Sequence, residues 1–126
     1  MKLRHLFTIN FPIAVFFGLA CAVFPEWTIQ LYGLDSNEAA IWTTRLAGGS
    51  ILAFATLMGY GRTRAPVDAR RAIALALLVQ DAIGAIASIE IQLKGSVNAF
   101  GWSSPILYVL LALGYAWFVF IRPADC

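Results

Sequence analysis

The side chains able to do chemistry in this chain are few, and most lie where water is scarce. Arg45, Gln80, Asp81, Ser88 and Glu90 all fall inside long apolar runs or at their edges. A charge at the centre of a bilayer costs about 2.5–3.5 kcal/mol on insertion scales, so each charged group must face protein, a partner or a water-filled cavity. Asp81 therefore needs a cation, a hydrogen-bond donor or its own proton, and Arg45 is the first candidate cation. Asp81 and Glu90 are nine residues apart, which on a helix projects them to opposite faces, so the two acids cannot share one neighbour. At about 1.5 Å per residue, Arg45 lies about 9 Å, Glu90 about 5 Å and Asp81 about 18 Å below the outer ends of their runs. A snorkelling Arg45 reaches Glu90, and a downward-pointing one reaches Asp81. Asp81 shares a stripe with Gly84, Ala85, Ser88 and Gln92, small or polar residues that suit an inward face. Glu90 shares its side with Val79, Ile83, Ile86 and Ala87 and has Lys94 one turn further on. The expectation is an intramembrane polar cluster in which Arg45 and Asp81 hold two helices together.

No catalytic constellation accompanies these groups. One histidine, His5, cannot make a multi-His metal site, and Cys21 and Cys126 lack CxxC spacing, so neither metal nor cofactor is expected. No Ser/His/Asp or Cys/His set points to a hydrolase. A formal net charge of +2 is no footprint for nucleic acid.

The elements that must position the cluster follow from composition. The 126 residues are 60% hydrophobic and only 13% charged, with a mean hydropathy of +0.77. Soluble domains are roughly 45–50% apolar. Four apolar runs, near 7–24, 39–61, 70–93 and 105–121, are each long enough to cross about 30 Å of hydrocarbon. Backbone amides in lipid must bond internally and four segments cannot close a barrel, so the spans are helices. The fold class is all-α: an integral membrane four-helix bundle forming one domain over 1–126.

Boundary residues give the orientation. Lys2, Arg4, Arg62, Arg64, Arg70, Arg71 and Arg122 fall on one side when both termini are placed together, so both termini are predicted to be cytoplasmic. Trp27, Tyr32, Trp42 and Trp102 cluster at the outer boundary, as anchors in the interface or contacts for a partner. Pro25 to Tyr32 reads as a short interfacial helix stopped by Gly33. Asp35 and Glu38 have capping-box spacing before the second span, and Ser103 and Ser104 ahead of Pro105 suit the start of the fourth. Gly49 and Ala53, and Ala55 and Gly59, are spaced by four for close helix packing. Ala20-Cys21-Ala22 would fit a signal-peptide cleavage site, but the apolar run is long for one and reads as a retained anchor.

Pro25, Leu31-Tyr32-Gly33, Arg45 followed by Gly48-Gly49, Asp81, Gly95, Asn98 and Gly101-Trp102 are spread along nearly the whole chain. In these features the protein resembles small uncharacterised prokaryotic four-helix membrane proteins of the DoxX-like type. The resemblance implies a four-span bundle and brings no activity and no catalytic residue with it.

The expected function is non-enzymatic: an accessory or assembly subunit, or a homo-oligomer, in a prokaryotic inner membrane. Its partners would be the lipid bilayer and other membrane subunits or further copies of itself. The alternative is a small transporter or a binder of a lipophilic ligand such as a lipid, quinone or pigment. There Asp81 accepts a proton while Arg45 and Gln80 orient a polar head.

Overall fold

In the computed structural model, which describes residues 1–126, the chain is entirely helical. Four long helices run antiparallel in sequence: α1 (Leu3–Val23), α3 (Glu38–Thr63), α4 (Val67–Leu93) and α5 (Ser103–Ala116). The short helix α2 (Pro25–Leu31) follows α1, a 3-10 turn (Ala99–Trp102) leads into α5, and a π turn (Trp117–Ile121) ends it. Three segments, Leu3–Val23, Val67–Leu93 and Ala99–Ile121, are long and apolar enough to cross a membrane. Helix α3 has the length, 26 residues, but Arg45, Gly48, Gly49 and its threonines dilute its hydropathy.

Local chemistry sets the boundaries. Pro66 takes the N-cap position of α4 and separates it from α3, because its ring cannot continue a helix. The start of α3 differs from expectation: Asn37, not Asp35, is its cap, and the Asn37 side chain accepts from the Ala40 amide at 2.8 Å. Asp35, Ser36 and Asn37 all carry cap-competent oxygens, and the loop delivers the nearest one. The start of α5 differs too. The 3-10 turn runs straight into it with Trp102 as the cap residue, and Ser104 is left to bond elsewhere. Pro12 lies inside α1, which runs unbroken from Leu3 to Val23 with Pro12 on its exposed side.

The helices associate as two pairs. In the first, α1 packs along the length of α3, and the approach is closest at Gly48. A Cβ there would lie 2.5 Å from the Ala22 amide nitrogen and 2.8 Å from the Gly18 carbonyl oxygen, so only glycine lets the two backbones touch. Gly59 and Gly61 continue the seam by receiving the rings of Phe11 and Phe7. The expected Gly49–Ala53 stripe is not the packing face, since Gly49 meets nothing within 4 Å and Ala53 is exposed. In the second pair, the Tyr108 ring of α5 lies against Gly84 of α4.

The two pairs meet at the end that carries both termini. Leu6 of α1 touches Gly114 of α5, Arg70 Nε of α4 donates to the Gly61 carbonyl of α3 at 2.8 Å, and Phe7 packs on Tyr115. The main apolar core sits at that end, built on Leu3, Phe7, Met58, Ile73, Leu77, Tyr115 and Phe118. At the opposite end the pairs diverge and are bridged only by the connecting segments. Asn98 donates its side-chain amide to the Leu31 carbonyl at 2.9 Å and its backbone amide to the Tyr32 carbonyl at 3.0 Å.

Substituting Gly48 tests the seam. Gly48→Ala is expected to destabilise the protein by about 1–3 kcal/mol, as overpacking does, while Gly49→Ala is expected to be neutral or slightly stabilising. Thermal unfolding of both variants in the same detergent reads the difference.

Candidate functional site

Between the two diverging pairs lies a cavity of about 470 Å³. Its floor is polar and satisfied. Asn10 Nδ2 donates to Tyr115 Oη at 2.8 Å, and Tyr115 Oη donates on to Met58 Sδ at 3.8 Å, so one buried chain of contacts ties α1, α5 and α3 together. An amide in an apolar run must find such a partner or forfeit the hydrogen bonds it made to water. The roof is equally closed on itself. Tyr32 Oη and Ser104 Oγ share a 2.8 Å hydrogen bond, Tyr32 stacks edge-on against Phe100, and Thr28 Oγ1 donates to the carbonyls of Ala20 and Phe24. The wall is apolar, with Ile13, Phe17, Ile51, Phe54, Leu107 and Leu111 among its side chains, and Cys21 stands near the roof.

One wall breaks that pattern. Helix α4 presents Gln80 and Asp81 to the cavity. Asp81 is only 4% exposed, its Oδ2 has no hydrogen-bond partner, and it takes part in neither ion pair of the chain. Gln80 Oε1 is likewise buried and unpartnered. Buried polar atoms are almost always satisfied in native proteins, so two orphans on adjacent residues of the cavity wall are an exception to that rule.

Burial along α4 follows helical phase. Asp81 and Ala85 are buried, Gly84, Ser88 and Gln92 are half-buried, and Val79, Ile83, Ile86, Ala87 and Glu90 are exposed. Ser88 stays outside the cavity lining. Glu90 accepts from Lys94 Nζ at 2.6 Å on the outside of the helix, an exposed i, i+4 pair of small energetic weight.

The expected pairing of Arg45 with Asp81 is not present, and neither is one with Glu90. Arg45 is exposed and lines a separate groove beside α2 with Phe24, Glu26, Trp27 and Gln30. The cause is the phase of α3: Arg45 lies three residues before Gly48, on the same helix face, and Gly48 must face α1. Turning Gly48 inward therefore carries Arg45 toward α1 and α2, away from α4.

The four aromatics expected at the outer boundary divide. Trp27, Trp42 and Trp102 are exposed, while Tyr32 is half-buried and belongs to the cavity roof. Sequence reasoning missed Asn10, Tyr115, Tyr108 and Ser104 as parts of one site. The signal for the first was a lone amide in an apolar run, and for the second one of two phenols, Tyr108 and Tyr115, seven residues apart in another. No three His, Cys, Asp or Glu side chains converge on a point that could hold a metal ion.

Compared with family models, with curated proteins and with solved structures, the chain matches none.

Substitutions at the floor and at the acid test this arrangement. Tyr115→Phe leaves the Asn10 amide without its acceptor and is expected to cost about 1–3 kcal/mol in thermal or denaturant unfolding. In a double-mutant cycle of Arg45→Gln with Asp81→Asn, the two stability changes are expected to add to within about 0.5 kcal/mol, as unconnected sites do. A coupling well above that would reinstate the ion pair.

Proposed function

We propose that this protein is a non-enzymatic, multi-pass membrane protein that holds one lipophilic molecule in the cavity between its two helix pairs. The observation that carries the reading is the unpartnered Asp81 carboxylate on the wall of an otherwise apolar cavity. Ligand sites are concave, mostly apolar, and fitted with a few convergent polar groups that fix orientation. This one has that composition: its floor and roof carry internal hydrogen bonds, α4 brings Gln80 and Asp81 to the wall, and α5 adds the hydroxyls of Ser103 and Tyr108.

Four crossings fit the packing best. Helix α3 lies against α1 from Gly48 to Gly61, so if α1 spans the bilayer α3 runs beside it at the same depths. The polar atoms of α3 find cover accordingly: Thr56 and Ser50 donate back to carbonyls of their own helix. The excess of Lys and Arg at the termini end supports a cytoplasmic location for that end, in a prokaryotic inner membrane, with the cavity in the outer half. The DoxX-like resemblance adds the bundle architecture and nothing about a ligand.

The accessory-subunit reading keeps one supporting observation, the exposed Trp27, Trp42 and Trp102 on the outer surface. Those residues also suit the headgroup region of a bilayer, so they weigh less than the cavity does.

Filling the cavity tests the proposal. Cys21 lines it and forms no disulfide, so Cys21→Phe directs a ring into the cavity. Native mass spectrometry from a mild detergent is expected to show one retained amphiphile per chain in the unaltered protein. It should show none in a folded Cys21→Phe variant. Retention that is equal in both would overturn the reading.

A further inference from the structure

The charge pattern of the cavity specifies the ligand's head. This inference rests on the ligand-binding reading and adds the chemical class of the occupant. Asp81 is the one formally charged residue in the lining, and no Lys, Arg or His reaches it. Arg45 sits in the groove beside α2, and Arg62 lies over the Phe11 ring, 4.4 Å from its centroid. Of the neutral donors in the lining, Asn10 is engaged with Tyr115, Tyr32 with Ser104, and Thr28 with two backbone carbonyls, while the Tyr108 and Ser103 hydroxyls and the Gln80 amide carry no positive charge to balance an anion. The lining thus holds one carboxyl group, at Asp81, beside the Gln80 amide, and no counter-charge. A phosphate or carboxylate head would face a like charge in a region of low dielectric, where repulsion is strongest. A protonated amine supplies both N–H donors and the missing positive charge.

The rest of the cavity describes the tail. Ile106 and Leu110 belong to the cavity lining and are also 58% and 63% exposed, so the cavity reaches the molecular surface along α5. Leu110 lies one turn before Gly114, which touches Leu6 of α1, so this opening faces the gap between α5 and α1 above their contact. Apolar side chains line it on both sides, Ile13 and Phe17 from α1 facing Ile106 and Leu110 from α5. We infer that the ligand is a single-chain amphiphile with an ammonium head, which donates to the Asp81 carboxylate beside the Gln80 amide while its chain leaves toward the bilayer between α1 and α5.

The test compares three chain-matched probes, dodecylamine, dodecanol and dodecanoate, on the full chain in nanodiscs, with binding to protein-free nanodiscs subtracted. Radiolabelled dodecylamine is expected to bind at one per chain. Dodecanol should compete at least about tenfold more weakly, the order expected for losing a charge-assisted hydrogen bond, and dodecanoate should not compete. In Asp81→Asn the preference for dodecylamine over dodecanol should fall to about parity, while Arg45→Gln should leave it unchanged. The ranking in the unaltered chain decides the matter even where Asp81→Asn fails to fold. If dodecanol or dodecanoate competes as well as dodecylamine, or if a folded Asp81→Asn variant keeps the preference, the ammonium assignment is wrong while the cavity remains a lipophile site. If none of the three binds, or if Cys21→Phe binds dodecylamine as the unaltered chain does, the cavity reading fails with it.

Discussion

The backbone contact at Gly48 sets the arrangement of the polar groups throughout this molecule. With no Cβ, α3 can rest on the Gly18 carbonyl and Ala22 amide of α1, and that approach fixes the rotation of α3 about its own axis. Arg45, one turn earlier on the same face, is then committed to the groove beside α2. Asp81 is left on the far side of the bundle interior with no basic side chain in reach. An unpaired carboxylate in an apolar bundle is costly, and this one faces a cavity.

That cavity exists because the two helix pairs are fastened at one end only. At the termini end, Leu6 on Gly114, Asn10 on Tyr115 and Arg70 on the Gly61 carbonyl draw α1, α3, α4 and α5 together around the apolar core. At the other end the pairs are spanned by α2 and by the segment that leads into α5, pinned through Asn98 and through the Tyr32–Ser104 bond. Two glycines serve this bridge. Gly33 takes φ +74°, a conformation that other residues adopt at a cost, and Gly101 packs so tightly that a Cβ would overlap the Gln92 side chain. The result is a hydrogen-bonded floor, a hydrogen-bonded roof and an apolar side opening.

Legibility in the sequence divided along a physical line. Apolar runs, helix boundaries at proline and the inward phase of the Asp81 stripe depend on one segment at a time, and the helical period alone reads them out. Whatever depended on how one helix turns toward another was hidden. Depth placed Arg45 at a height that could meet Asp81 or Glu90, but depth says nothing of azimuth, and azimuth was set by Gly48. The four-residue spacing rule fitted Gly49 and Ala53 as well as any pair, yet the contact fell on Gly48, because the partner backbone and not the spacing selects the face. Three adjacent cap-competent side chains at Asp35, Ser36 and Asn37 could not be ranked without the loop that presents them. The interfacial-anchor reading of Tyr32 gave no sign of its hydrogen bond, since its hydroxyl reaches Ser104 across 72 positions of sequence.

The most direct test is an experimental density map of the full chain in a lipid nanodisc, resolved well enough to trace side chains around Asp81. The predicted result is elongated non-protein density between α1 and α5, with its polar end at hydrogen-bonding distance from Asp81 Oδ2 and Arg45 turned toward α2. A bundle closed between α1 and α5, with the Arg45 guanidinium seated on the Asp81 carboxylate, would contradict it.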